Sequence, residues 1–251
     1  MKTRTNDAQG RSVRLKTKGF RVALPKRGGT ERTDLTSAAT TTRKTRKVSA
    51  SVLSTREERA ARVREQLLIS AGRVVGEFGY RDASIQRITA HAGIAQGTFY
   101  LYFNSRQALF DELLPYFGLH MLEYVRERAH GAKGFFEVEE IGVRAVFDYL
   151  RDNTWFWRVL NEAETQAPVA WLAHHTEVRR RYTKFLTRAR AQGELGAYAE
   201  SELDTLAYLL IAARDYLYIS HLAKAEKSPG MPDSVIKTYM NFVRNGLAAR
   251  Q

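Results

Sequence analysis

The sequence predicts an all-α protein, and two observations carry that reading. Apolar residues recur at three- and four-residue spacing along most of the chain from Thr55 onward, the period of helices with one buried face. Each periodic run is also bounded by helix punctuation, with Ser, Thr or Pro at its start and Gly near its end.

Residues 1–54 come first and lack any such period. They are rich in Thr, Arg, Lys, Ser and Gly, with scattered single apolar residues, and read as a disordered basic arm. Such an arm adds non-specific affinity for a polyanion, or is simply a solvated tail. Thr55, with Glu58 three residues on, then reads as a capping box opening the first helix. Ala60, Val63, Leu67, Ala71, Val74, Val75 and Phe78 form its buried stripe, and Gly79 ends it.

Residues 84–106 organise the rest. Ser84 caps a short helix whose Ile85, Ile88 and Ala92 share a face. Gly93 stops that helix, since glycine takes positive φ at no steric cost. Ile94 plugs the corner, and a second short helix is expected over residues 96–103. Two short helices joined by a tight Gly-containing turn make a helix-turn-helix, whose second helix can lie in a DNA major groove. Phe99 and Phe103, four apart, point inward. Gln96, Thr98, Tyr100 and Leu101 are left for the outer side. Gly97 weakens a helix by about 1 kcal/mol relative to Ala, which makes sense where backbone must approach a phosphate closely.

The segment from Ala92-Gly93-Ile94 through Gly97-Thr98-Phe99-Tyr100-Leu101-Tyr102-Phe103-Asn104-Ser105-Arg106 closely resembles the DNA-binding domain of the TetR family of transcriptional repressors. The resemblance is specific over residues 55–114 and fades to shared helical architecture beyond. It implies an all-helical homodimer, with a three-helix DNA-binding domain over residues 55–104 and a larger helical ligand-binding and dimerisation domain over 105–251. It further implies that Gln96, Thr98, Tyr100 and Tyr102 contact bases and phosphates, and that Ser84 and Arg106 hold phosphates. Ala95 departs from the pattern, since many members carry a hydroxyl cap there. Losing such a cap costs about 1 kcal/mol and removes a phosphate donor.

Ser105 caps a long fourth helix whose apolar period runs through Pro115, so a kinked but continuous helix is expected. Residues 131–134 break it. A fifth helix is expected over residues 136–151, a sixth from Asn153 or Thr154, and a seventh from Pro168 to Gln192. Ser201 opens an eighth, apolar nearly all round and therefore expected to be buried on both sides. Pro232 starts a ninth. In the resembled family, the last two helices build a four-helix bundle across the dimer two-fold.

The charge distribution agrees with a polyanion partner. Net charge is +13 over 251 residues. Residues 1–55 hold 14 Lys and Arg against 3 Asp and Glu, residues 56–104 hold 7 against 5, and residues 105–251 hold 19 against 19. The excess therefore precedes and includes the helix-turn-helix, where basic groups bind nucleic acid largely through counterion release. There is no cysteine, which excludes disulfides and thiolate chemistry. No secretory signal and no membrane-length apolar run are read, so a cytoplasmic protein is expected. No phosphate loop, dinucleotide fingerprint or nucleophile elbow is present. The histidines lack ligand spacing: His174 and His175 point about 100° apart on a helix. No catalytic residue, metal or cofactor is therefore assigned.

The expected function is that of a transcriptional regulator, a repressor, which binds palindromic operator DNA as a homodimer. A small, largely hydrophobic or aromatic effector would release it. Phe147, Tyr149, Trp155, Phe156 and Trp157 are the candidates to line an effector pocket, though such aromatic stripes also serve as plain core. His174, His175, Arg214 and Asp215 are the polar candidates. Arg214 lies in an apolar run and needs a partner: Asp215 or another acid at the dimer interface, or a ligand carboxylate or phosphate. An architectural DNA-binding protein without an effector is the alternative.

Overall fold

The computed structural model describes residues 42–196, 198–222 and 230–248, with side chains from residue 55. The chain divides into two units, residues 1–49 and 50–251. In the first, the described backbone over 42–49 is helical.

Among the described residues the regular elements are helices. They are α1 (Thr42–Asp82), α2 (Ile85–Ala92), α3 (Gln96–Phe99), α4 (Arg106–Arg128), α5 (Gly134–Asp152), α6 (Thr154–Gln166), α7 (Pro168–Ala191), α8 (Leu203–His221) and α9 (Asp233–Leu247). A single 3₁₀ turn at Glu200–Glu202 leads into α8, and one isolated antiparallel bridge joins Leu195 to Ala248.

The start of α1 departs from expectation. Residues 1–41 of the expected arm lie outside the described residues, but residues 42–54 are helical and run directly into the first predicted helix. The Thr55–Glu58 pattern therefore lies inside α1. No Gly or Pro interrupts residues 42–54, and a helix propagates far more easily than it nucleates. Near its other end α1 breaks where expected: Gly79 is non-helical, with φ 81 and ψ 164, and a short turn of helix follows this kink to Asp82. The next residue, Tyr80, turns fully into the core, its ring edge-on to Phe110 at 4.8 Å.

Helix α4 is the spine. It packs on α5, α6 and α7, while α7 also meets α6 and α8, and α5 meets α9. Leu109, Phe110, Leu113, Leu114, Phe117 and Met121 form its buried stripe. It continues through Pro115, as the periodicity required. The breaks at Gly131 (φ 89) and Gly193 (φ 73) fall where the sequence placed them.

Helix α8 differs from expectation. Leu203, Ala207, Leu210 and Tyr218 are buried, but Tyr208, Leu209, Tyr216 and Ile219 are exposed. One chain supplies a layer for only one side of this helix. Ser201 sits within the 3₁₀ turn rather than capping α8; the turn is held instead by the Glu202 carboxylate, which accepts from the Ala199 N–H at 2.7 Å.

The closest approach of α4 to α7 runs through a glycine. A Cβ at Gly118 would lie 2.1 Å from His174 Nδ1. Gly118→Ala should therefore destabilise the protein by about 1–3 kcal/mol, the range for overpacking, despite the better helix propensity of Ala. Denaturant unfolding measures this, and a variant as stable as the parent would show that the imidazole has room to swing clear.

Candidate nucleic-acid interface and regulatory core

The helix-turn-helix is built from local interactions the sequence encodes. Ser84, in extended conformation, accepts the Arg87 N–H on Oγ at 3.2 Å. Gly93 closes α2 in the left-handed region at φ 67, and the Ile94 N–H then reaches the Thr89 carbonyl at 3.0 Å. Gln66 Nε2 donates to the Ala92 carbonyl at 2.5 Å, tying α1 to the end of α2. Arg64 pairs with Glu112 and lies 4.9 Å over the Phe103 ring, which ties α1 to α4 across the motif.

The second helix of the motif is shorter than expected. It is α-helical over Gln96–Phe99, and the chain then tightens: Leu101 N–H reaches the Thr98 carbonyl at 3.2 Å and Tyr102 N–H the Phe99 carbonyl at 2.9 Å. Ala95 offers no side-chain cap and Gly97 lowers propensity, so packing rather than intrinsic preference holds this segment. Phe99 and Phe103 are that packing, both buried with ring centroids 5.7 Å apart.

The opposite side is open. Gln96 and Gly97 are exposed, Thr98 and Tyr102 half-buried, and Tyr100 and Leu101 are 53% and 79% exposed. A Cβ at Gly97 would meet nothing within 4 Å, so nothing in this chain requires glycine there. Arg106 is exposed beside this face; its Nη1 donates to the Arg81 carbonyl at 3.1 Å and its guanidinium sits 5.4 Å over the Phe110 ring. Its position is thereby set while the rest of the head stays in solvent.

The regulatory candidates fall into several places rather than one. Tyr149, Trp155 and Phe156 belong to one aromatic cluster, with Tyr149 5.7 Å and Trp155 5.9 Å from Phe156. Phe147 is fully buried. Trp157 faces away, stacked on Tyr218 at 4.3 Å. His174 is buried against Gly118, while His175 stacks on Trp171 at 4.2 Å and its Nδ1 meets the Trp171 carbonyl at 2.9 Å.

Arg214 pairs with Glu139, not with its neighbour Asp215. Its Nη2 donates to Glu139 Oε1 at 2.5 Å and to the Tyr182 hydroxyl at 2.9 Å. Glu139, 1% exposed, also accepts from the Tyr182 and Tyr239 hydroxyls at 2.5 and 2.6 Å. Burial alone would raise this carboxyl, but the guanidinium and the two phenols hold it below the usual carboxylate range. Asp215 is pushed up by burial, which outweighs the opposing pull of His175 and Arg214.

Residues 67–113 match the family described as bacterial regulatory proteins, tetR family. Two curated relatives from Bacillus subtilis (strain 168) agree. One is an uncharacterized HTH-type transcriptional regulator, YvdT, 40% identical over 83 residues that cover 33% of this chain and 43% of the relative. The other is a fatty acid metabolism regulator protein, 35% identical over 68 residues, covering 26% and 35%. The chain thus spans less than half the length of these curated relatives. In structure it is similar to the transcriptional regulator FadR from Bacillus subtilis, solved with stearoyl-CoA, with a TM-score of 0.62 at 16% identity over 72% of this chain and 98% of that one.

Residues 67–113 thus match the TetR-family helix-turn-helix domain. The similarity to FadR extends the TetR-like fold through the helices that follow.

Within that TetR-like fold the Glu139 cluster was missed by sequence reasoning, although a signal for it exists. Phe135, Glu139, Gly142 and Val143 all fall on the buried face of α5, so a carboxylate on a helical core stripe needed a cationic partner. Arg214, the cation in the apolar run of α8, is that partner.

The buried histidine generates a pH prediction. Burial, and then the neighbouring His175, hold His174 down to about 4 from its ordinary 6.5. The folded state therefore favours the neutral ring, so its contribution is complete above 6.5 and is lost as pH falls from 6.5 towards 4. The loss should be on the order of 3 kcal/mol. Chemical unfolding at several pH values across that window, for the parent and for His174→Gln, isolates this part of the slope; identical slopes would assign acid sensitivity elsewhere.

Proposed function

We propose that the chain is a ligand-responsive transcriptional regulator that binds near-palindromic operator DNA as a homodimer. The observation carrying this reading is the open outer face of α3 and the turn after it. It presents an amide, a hydroxyl and phenols over a glycine that nothing in this chain requires. Gln96, Thr98, Tyr100 and Tyr102 read or touch the groove, Gly97 lets backbone approach, and Ser84 and Arg106 hold flanking phosphates. Residues 1–54 add charge-driven affinity ahead of this domain, and residues 105–251 form the regulatory part.

The dimer is supported by the apolar face of α8 and α9. Tyr216 is 71% and Phe242 68% exposed, and Leu209 and Ile219 are exposed with them. Tyr216 and Phe242 line a groove together with Ala213, Leu217, Val235 and Thr238. A face this apolar marks a partner surface, and an isologous contact between two copies gives the two-fold that a palindromic operator requires. The effector is a small molecule, largely hydrophobic or aromatic, received by the regulatory helices. FadR was solved with stearoyl-CoA, so acyl thioesters belong in the ligand screen beside aromatic acids.

Gly97→Ala separates folding from binding. It should leave stability unchanged or raise it by up to about 1 kcal/mol, yet weaken operator binding at least about tenfold, because a methyl would stand where phosphate must come close. Fluorescence anisotropy with operator and scrambled duplexes reads it. Tyr100→Ala should cost specific binding about 1–3 kcal/mol, whereas Arg106→Ala should weaken both duplexes and flatten the salt dependence. Undiminished affinity in Gly97→Ala and Tyr100→Ala together would remove α3 as the reading element.

Phe242→Glu tests the dimer. A carboxylate on each copy, desolvated against an apolar groove, should shift sedimentation at micromolar concentration from dimer to monomer and abolish operator binding while the helical signal persists. A variant that stays dimeric would place the two-fold elsewhere.

A further inference from the structure

Where α4, α5 and α6 meet, two buried donors have no acceptor: the Tyr124 hydroxyl and the Trp155 indole N–H. Both belong to one run of ring contacts. Tyr124 lies 5.4 Å from Tyr149, Tyr149 5.7 Å from Phe156, and Phe156 5.9 Å from Trp155, with Phe117 4.6 Å from the indole. Unpartnered buried donors are uncommon and costly. Two within one apolar cluster point to an acceptor that comes from outside the chain.

The rim is cationic. The Arg73 guanidinium stands 5.1 Å over the Trp155 ring, and that of Arg128 3.5 Å over the Tyr124 ring. Neither makes an ion pair among the described residues, while the nearby acids Asp148 and Asp152 are both held by Arg151.

Resting on the reading of the chain as a ligand-responsive regulator, we propose that this cluster seats an effector bearing a carboxylate on an aromatic or short apolar body. The acid oxygens accept from Tyr124 and Trp155 and face Arg73, and the body packs among Phe117, Tyr149 and Phe156. A carboxylate only accepts, so it matches donors that lack acceptors. A guanidinium at the rim favours the ionised form.

The site is also coupled to the DNA-reading end. Trp155 is the side chain that docks α6 on α1. A Cβ at Gly72 would lie 2.7 Å from its Cζ3, and one at Gly76 would lie 2.3 Å from its Cβ. Arg73 stands on α1 beside Gly72. A ligand that engages the indole N–H and Arg73 acts on both sides of that contact, and α1 meets the helix-turn-helix through Gln66 on the Ala92 carbonyl and Arg64 over the Phe103 ring. Entry of the body between the rings competes with the close seat of Trp155, so binding shifts α6 relative to α1 by as much as the two states differ in affinity.

The test uses the full chain and two matched probes, phenylbutyrate and phenylbutanol. Phenylbutyrate should raise the unfolding temperature and quench tryptophan emission, and phenylbutanol should do neither at the same concentration. Tyr124→Phe and Arg73→Gln should each weaken phenylbutyrate binding about tenfold, the loss of one hydrogen bond or contact to a charged group. Trp157→Phe, whose ring lies on Tyr218 outside the cluster, should bind it unchanged. No binding of phenylbutyrate, an equal response to phenylbutanol, or unchanged affinity in both Tyr124→Phe and Arg73→Gln overturns the site. Operator affinity is followed in the same samples: a ligand-free protein without sequence-selective DNA binding overturns the regulator reading and not the carboxylate site. Carboxylate binding that leaves operator affinity unmoved overturns the coupling through Trp155.

Discussion

Helix α1 lacks a side chain at two successive turns, and the architecture depends on what fills the gap. Gly72 and Gly76 open a groove in which Trp155 sits so closely that neither glycine could carry a methyl without displacing it. The contact brings α6 against the helix that backs the DNA-reading motif. It is completed at the end of α1, where Glu162 accepts the Tyr80 N–H at 2.9 Å and Arg158 donates to the Glu77 carbonyl at 2.9 Å. Arg158 and Glu162 also pair with each other at 2.6 Å. A large ring, two glycines and a clasp of opposite charges therefore set where the helix-turn-helix stands on the helices that follow it. Close-packed contacts of this kind do not deform smoothly; they are kept or lost.

Among the later helices a single carboxylate plays the corresponding part. Glu139 on α5 gathers Tyr182 from α7, Arg214 from α8 and Tyr239 from α9. Every oxygen of that carboxylate is used, which is the condition under which a buried charge is tolerated. Removing one partner would leave the other charge stranded, so the cluster holds α8 and α9 in one arrangement more than it adds net stability. Because Tyr239 also borders the apolar groove between α8 and α9, the buried interior of these helices and that groove share one hydrogen-bonded group.

The helix-turn-helix was legible because its determinants are local. The Ser84 cap, the left-handed Gly93 and the inward pair Phe99 and Phe103 each act within a few residues, so spacing alone reveals them. The length of α3 was not legible to the same degree. An uncapped helix with a glycine has little intrinsic stability, and how many residues stay α-helical is decided by packing. The helical stretch before Thr55 escaped notice for a different reason: it has no apolar period, and only continuity with a stable neighbour makes it helical.

The sequence by itself determined the helices, their stops, the inward and outward faces of the motif and the concentration of positive charge before and within it. All of these follow from periodicity, caps and charge along one short stretch at a time. Tertiary structure decided which aromatic residues meet, which of them leave donors unpaired, and which acid answers Arg214. Glu139 lies 75 residues from it in sequence, and no local rule relates side chains on helices so far apart. The same holds for α8: its pattern announces two apolar sides, but only the packing shows that this chain covers one and leaves the other exposed.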